Sequence, residues 1–322
     1  MTTYRKVAVL GAGTMGHALA IIHALGGCEV RLQDLTGEAL DRARALIGGA
    51  LETLEAAGRC TAAEAEAAQA RIECTTSLAE AVKDADLVVE AVVENVEVKR
   101  ELFAAVDAAA PDHAVIASNT SYLDIFPLVP ERRAARTMIV HWYTPPYIID
   151  LVDVVGSEKT ERVLLEQMRD FLAGLGKKPI LLERFIEGFI ANRLQSAMSL
   201  EVYKLLDEGY ASPEAIDHSI KYGLAARMAL MGHFGKADFT GLDMVRRAMA
   251  NGTYKPPVPR GKSPALEALI AQGRGGVMDG AGFYDYGGRS PVALMAERDR
   301  KLLALKDAIE TIEQGNGEDN AS

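Results

Sequence analysis

Residues 6–34 read KVAVLGAGTMGHALAIIHALGGCEVRLQD, and this stretch decides the fold. Lys6-Val7-Ala8-Val9-Leu10 is a short β-branched apolar run that stops at a glycine cluster. A helical pattern follows from about Thr14 to Leu25, Gly26-Gly27 breaks it, and Glu29–Leu32 reads as a second strand ending at Asp34. Strand, turn, helix, turn and strand in this order make a βαβ unit. Its first turn fits G-x-G-x-x-G through Gly11, Gly13 and Gly16, with Thr14 and Met15 before the last glycine. Directly after a strand and opening a helix, this pattern is a dinucleotide fingerprint. Gly11 permits the tight turn, Gly13 lets the backbone approach a pyrophosphate, and Gly16 allows the helix to pack closely on the strand. The helix N-terminus offers free N–H groups to the phosphates. Asp34, 23 residues beyond Gly11, is placed to accept hydrogen bonds from ribose hydroxyls, and its charge repels a 2′-phosphate. The expected cofactor is therefore NAD rather than NADP.

Outward from this unit the alternation continues. Residues 37–58 and 62–72 are rich in Ala and Glu and read as a helical hairpin broken near Gly58. Leu87–Val93 is an apolar run with one charge, as expected of a strand buried in a parallel sheet. Val115–Ala117 and Thr137–His141 read as further strands. Strands alternating with helices predict a doubly wound parallel α/β sheet. The character changes near residue 186, where apolar positions recur at helical spacing from Phe189 to Leu206. Ser212-Pro213-Glu214 starts another helix, residues 251–263 form a Pro- and Gly-rich loop, and a last helix spans about Pro291–Glu313 before a frayed tail, Gly315–Ser322. The expectation is a Rossmann domain over residues 1–185 and an all-helical domain over 186–322, in keeping with ~150 residues per domain.

Composition excludes several classes of function. The chain has 322 residues and a net charge of −10, which disfavours nucleic acid or an anionic membrane as the main partner. Cys28, Cys60 and Cys74 form no CxxC pair and are odd in number, so neither a disulfide framework nor a zinc site is expected, and no metal. No charged-then-apolar leader precedes Val7, and no apolar stretch reaches the ~20 residues of a membrane span. A cytoplasmic enzyme is expected.

The chemistry is sought among six histidines. His141 stands out because it ends the apolar run Met138-Ile139-Val140 and precedes Trp142-Tyr143-Thr144-Pro145-Pro146. A second apolar run, Ile148–Val155, carries Asp150 and Asp153. A strand, a Pro-Pro turn and a returning strand bring one of these carboxylates beside His141, and spacing alone does not choose between them. A carboxylate on one imidazole nitrogen fixes the tautomer and leaves the other nitrogen to take a proton from a substrate hydroxyl. Ser118-Asn119-Thr120-Ser121 follows a strand and reads either as a helix N-cap or as a polar group facing the nicotinamide at the C-terminal edge of the sheet. Asn192 lies in an otherwise apolar helical segment and faces either a polar ligand or solvent.

Taken together, GAGTMG, VVEAVVENVEVKRELF, SNTS, a strand ending in His, GFIANR and AGFYDY resemble the L-3-hydroxyacyl-CoA dehydrogenase superfamily over nearly the whole chain. The resemblance implies an NAD-binding Rossmann domain followed by a helical domain that forms a homodimer. It implies that His141 is the general base, that Asp153 stands at the position of its carboxylate partner, and that Ser121 and Asn192 position the substrate oxygen. It places Glu94 and Lys99 with Gly11, Gly13, Thr14, Met15, Gly16 and Asp34 at the cofactor. The superfamily usually has Glu at the place of Asp153 and Asn at the place of Thr144, a position assigned to the substrate. Residues 45–58 contain neither Lys nor Arg, which counts against the phosphates of a CoA tail. Pro145-Pro146-Tyr147 and Gly223-Leu224-Ala225-Ala226-Arg227 are similar to the free-acid branch, which includes L-gulonate 3-dehydrogenase (lambda-crystallin) and carnitine dehydrogenase. Arg227 is then the expected clamp for a substrate carboxylate. The expected activity is NAD-dependent oxidation of a small 3-hydroxy acid. The alternatives are a 3-hydroxyacyl-CoA dehydrogenase and a catalytically silent NAD-binding structural protein.

Overall fold

A computed structural model describes residues 4–318 of the chain. The chain divides into two compact units, with the division between Phe189 and Ile190. The first unit carries β1 (Lys6–Leu10), α1 (Gly16–Leu25), β2 (Glu29–Gln33), α2 (Gly37–Ala56), α3 (Ala62–Ala70), β3 (Ile72–Thr75), α4 (Leu78–Val82), β4 (Leu87–Glu90), α5 (Val96–Ala109) and β5 (Val115–Ser118). It continues with β6 (Thr137–Trp142), β7 (Leu151–Gly156), α6 (Arg162–Gly174) and β8 (Lys178–Leu181). The eight strands form one sheet in the order β3-β2-β1-β4-β5-β6-β7-β8. All pairs are parallel except β6 with β7. The strand order reverses between β1 and β4, the place where doubly wound sheets open a crevice for ligands.

Side-chain alternation along the strands divides the core into two layers. Val7 and Val9 face a layer built with α1, α2, α3 and α6, while Ala8 and Leu10 face one built with α4 and α5. Helix α1 is buried nearly all round, and α2 turns a stripe of Leu40, Ala43, Ile47, Leu51 and Leu54 inward, packing on α1 and α3. Polar N-caps start three of the helices: Thr36 accepts from Ala39 N before α2, Thr61 and Glu64 form a capping box before α3, and Asn95 accepts from Val98 N before α5.

The element boundaries correct the sequence reading at three places. The second arm of the hairpin ends at Ala70, and Ile72–Thr75 pairs with β2 as an edge strand, a partnership no local pattern announces. The run from Leu87 stops being a strand at Glu90, because the Glu90 carboxylate accepts the Val92 N–H and turns the chain. The last helix continues to Glu318 instead of ending near Glu313, and the remainder of the expected frayed tail lies outside the described residues.

The second unit is helical: α7 (Phe189–Asp207, entered from the first unit), α8 (Pro213–His218), a π-helical turn at Ser219–Ala225, α9 (Ala226–Thr240), α10 (Leu242–Ala250), α11 (Pro264–Ala271) and α12 (Pro291–Glu318). Among the described residues no helix is long and apolar enough to cross a membrane.

One buried titratable group tunes the stability of the first unit. His23 on α1 stacks on Phe171 of α6 with ring centroids 5.9 Å apart, and its Nδ1–H donates to Leu19 O. Burial lowers its pKa from 6.5 to about 4, with the Leu19 bond opposing. Below pH 6.5 the unfolded chain therefore takes a proton that the folded chain refuses, and stability falls as the pH drops towards 4. The full effect is about 3 kcal/mol. Thermal melting of the wild type is expected to fall by several degrees between pH 6.5 and 5, and His23→Leu to flatten that dependence.

Candidate active site

The glycine turn is built by contact with the neighbouring strand. Gly11 leaves β1 with φ of 94°, and a Cβ there would lie 2.6 Å from the carbonyl oxygen of Ala91, just past β4. A Cβ on Gly16 would lie 1.6 Å from the carbonyl oxygen of Gly11, so the first turn of α1 closes directly on the loop. Gly13 differs: a Cβ there would meet nothing within 4 Å. Its backbone is the part of the turn that a ligand can approach. No side chain caps α1, so its first N–H groups remain available to phosphate oxygens. Asp34, following β2, accepts Ala12 N at 2.8 Å through Oδ2 and Leu35 N at 2.7 Å through Oδ1. Each oxygen keeps lone-pair capacity for a ribose hydroxyl. His17 Nδ1–H donates to Gly13 O at 2.8 Å, and burial lowers its pKa despite that bond, so at neutral pH it braces the loop as a neutral ring. Thr14 is exposed and Met15 half-buried, and the Thr144 hydroxyl reaches Met15 Sδ at 3.2 Å. An open glycine backbone, uncapped amides and a terminal carboxylate fit a dinucleotide.

A second group of residues gathers at the same edge of the sheet. Asn119 Oδ1 accepts Trp142 N at 2.9 Å and ties the loop after β5 to β6. Ser121 Oγ then lies 3.1 Å from His141 Nε2. His141 on β6 stands directly opposite Asp153 on β7, and its Nδ1 is 3.3 Å from Asp153 Oδ2. Asp153 has no exposed surface and His141 is 3% exposed. A carboxylate accepts only, so Nδ1 carries the proton and Nε2 is left to accept from the Ser121 hydroxyl. Phe189 lies flat on the imidazole at 4.6 Å between centroids and Tyr143 stands edge-on to it at the same distance. Phe189 itself has φ of 50°, a left-handed conformation rare for a bulky residue, and it follows Gly188, whose N–H donates to Ser121 O. The chain thus accepts local strain to seat this ring against the histidine. Asp150, the other carboxylate, precedes β7 and pairs with Lys177 Nζ at 3.2 Å.

An ionic network that starts at a buried pair supports the second group. Glu90, at the end of β4 and wholly buried, accepts Lys99 Nζ at 2.6 Å and the Ser118 hydroxyl. Lys99, 1% exposed, also pairs with Glu94 at 3.2 Å. Glu94 Oε1 accepts the Thr120 hydroxyl at 2.6 Å and Ser121 N at 3.0 Å. Burial would raise the Glu94 pKa, but Thr120, the Tyr122 N–H and Lys99 together hold it below its ordinary value. Lys99 and Glu94, expected at the cofactor, thus form the frame that holds Ser121 toward His141.

The remaining expected residues belong to the second unit. Asn192 is half-buried in the first turns of α7, where its carbonyl accepts the Ser196 hydroxyl. Arg227 is exposed at the start of α9, with Nε donating to Gly223 O at 2.8 Å within the π-helical turn. Among the described residues no cluster of three or more His, Cys, Asp or Glu is arranged to hold a metal.

Comparison with known proteins identifies the family. Residues 6–185 match the family "3-hydroxyacyl-CoA dehydrogenase, NAD binding domain", and residues 188–286 match "3-hydroxyacyl-CoA dehydrogenase, C-terminal domain". The chain belongs to the 3-hydroxyacyl-CoA dehydrogenase family. It is an NAD-dependent oxidoreductase acting on hydroxyl groups, as its relatives are. An L-carnitine dehydrogenase of Nocardiopsis dassonvillei is 34% identical over 322 residues, covering 98% of this chain and 95% of the relative. A 5-formyl-3-hydroxy-2-methylpyridine 4-carboxylate 5-dehydrogenase of Mesorhizobium japonicum is 29% identical over 307 residues, covering 95% and 98%. A crystal structure of an enzyme of that activity, described as an NAD+-dependent dismutase, matches with a TM-score of 0.84 at 29% identity, covering 95% of this chain and 98% of that one.

Three residues of the site escaped the sequence reading. Glu90 was visible as the single charge in an apolar strand. Phe189 follows a glycine at a helix start, a weak signal. Tyr143 lies two residues beyond His141 and so on the same side of the chain, but nothing in the sequence announces its hydroxyl contact.

The glycine geometry separates folding from binding. Gly16→Ala is expected to lower the melting temperature, because its Cβ meets backbone that cannot yield cheaply. Gly13→Val is expected to melt like the wild type yet bind NAD at least about tenfold more weakly, because the new side chain covers the exposed amides. Calorimetric melting and NADH fluorescence titration check both.

Proposed function

We propose that the chain oxidises the hydroxyl of a small free hydroxy acid, with His141 as general base. The observation that carries this reading is the chain of contacts from Ser121 Oγ to His141 Nε2 and from His141 Nδ1 to Asp153 Oδ2. NAD, when bound, supplies the acceptor for the hydride that leaves the carbinol carbon. The hydroxyl proton passes to His141 Nε2, and Asp153 steadies the imidazolium through Nδ1–H. Ser121, held by the Glu94 frame, donates to the reacting oxygen, and the family resemblance gives Asn192 a like task. Phe189 and Tyr143 shield the imidazole from water on two sides. Gly11, Gly13, Thr14, Met15, Gly16 and Asp34 bind the cofactor, Glu94 and Lys99 hold the wall beside it, and Thr144 serves the substrate.

Two observations favour a free acid over a thioester. Helix α2 carries no cation after Arg44, and its exposed Arg42 and Arg44 are each paired within the helix, with Glu38 and Asp41. Little positive charge remains there for a phosphorylated tail. The relatives named above are called after small molecules, one of them a ring carboxylate bearing a formyl group. Arg227 offers a planar fork for a carboxylate. The family description supports a second reading, a 3-hydroxyacyl-CoA substrate handled by the same residues.

We further propose a homodimer through the helical unit. Helix α9 buries only Ala237 and α10 buries nothing, while Phe234, Phe239, Leu242, Met244 and Met249 are all exposed. Apolar surface of this extent marks an association face. Light scattering is expected to give twice the chain mass, and Phe239→Asp to shift it towards the monomer.

NADH formation with L-carnitine, 3-hydroxybutyrate and 3-hydroxybutyryl-CoA tests the substrate class. Turnover of a free acid is expected, with Arg227→Lys raising its KM about tenfold or more and leaving the KM for NAD unchanged. Turnover of the thioester alone contradicts the free-acid reading.

A further inference from the structure

Asp153 is fully buried, yet only one of its oxygens is engaged. Oδ2 receives Tyr143 Oη at 2.6 Å and His141 Nδ1 at 3.3 Å, while Oδ1 is enclosed without a hydrogen-bond partner among the described residues. A carboxylate removed from water needs donors to remain where it is. Of the two contacts, that of the tyrosine has the length of a charge-assisted O–H···O bond, and that of the imidazole is longer than the usual N–H···O range.

The lopsided arrangement bears on the reaction. The register of β6 and β7 fixes the backbone of Asp153 but leaves the final torsion of its side chain, which is broad and roughly two-fold. With Oδ1 unpartnered, nothing on that side selects an orientation. The Tyr143 hydroxyl does select one, because it draws Oδ2 into the position that His141 Nδ1 also meets. The same residue stands edge-on to the imidazole, with the ring planes at 76°. One side chain thus touches both the base and the group that orients it.

We propose that Tyr143 is a positioning residue for proton transfer, whose hydroxyl anchors the short Asp153 side chain toward His141. This rests on the reading of His141 as general base. A longer carboxylate at position 153 would reach Nδ1 by itself and would need no anchor.

The test is a cycle of variants. Tyr143→Phe keeps the ring and removes only the hydroxyl. With whichever of 3-hydroxybutyrate, L-carnitine and 3-hydroxybutyryl-CoA the wild type turns over, this change is expected to lower kcat about tenfold and to leave the KM for NAD within about twofold. In the Asp153→Glu background the same change is expected to cost less than about twofold, a rescue that loss of packing alone would not produce. A second readout needs no substrate. In protein labelled with ¹⁵N at histidine, the Nδ1 proton of His141 is identified by its loss in His141→Gln. That signal is expected to broaden in Tyr143→Phe and to return in the double variant Tyr143→Phe/Asp153→Glu. Equal losses of kcat in both backgrounds, or an unchanged signal in Tyr143→Phe, overturn the proposal. Should His141→Gln leave kcat intact, the general-base reading fails by itself, and the proton signal still decides whether Tyr143 orients the pair.

Discussion

The site depends on the register of one strand pair. In a sheet otherwise parallel, β6 and β7 run antiparallel, and this places His141 and Asp153 directly opposite each other. In an antiparallel pair, facing residues approach to within about 5 Å, close enough for a carboxylate and an imidazole to meet. A slip of one residue would turn the aspartate to the other face of the sheet. The register therefore sets which nitrogen of His141 is occupied and which is free to receive a proton.

The rest of the first unit holds that pair against the cofactor turn. Gly11 approaches the chain beyond β4 so closely that no side chain fits, and β4 ends in Glu90, which binds Lys99 and Ser118. Through Lys99 and Glu94 the network reaches Ser121 N, and Ser121 Oγ reaches His141. A buried ion pair adds little net stability because desolvation offsets attraction. Its contribution here is geometric. Two carboxylates and one ammonium fix the ends of β4, β5 and β6 relative to one another.

Local pattern and tertiary partnership differ in how far the sequence reveals them. The turn at Gly11–Gly16 was legible because each glycine has a separate steric reason to be there. The pairing of His141 with a carboxylate was legible as well, because two strand-like runs flank Pro145-Pro146. Spacing alone left Asp150 and Asp153 equal, and only the register separates them, with Asp150 drawn to Lys177. Lys99 was placed at the cofactor by resemblance alone, and its burial between two glutamates, inside the wall, has no local signal. The strand Ile72–Thr75 was hidden behind a helix because edge pairing with β2 is a long-range contact. The Tyr143 hydroxyl was hidden for the same reason, since its partner is set by where β7 returns. Asn192 stood out as a polar residue in an apolar helical segment, Arg227 came through resemblance, and both belong to the helical unit.

The central claim is that Asp153 acts on the reaction through His141. Its most direct test is a double-mutant cycle on kcat with His141→Ala, Asp153→Ala and the two combined. If the carboxylate works only by orienting the imidazole, the double variant is no slower than His141→Ala alone. If the two losses multiply, Asp153 has an independent role, and the strand register does not build the proton-transfer site described here.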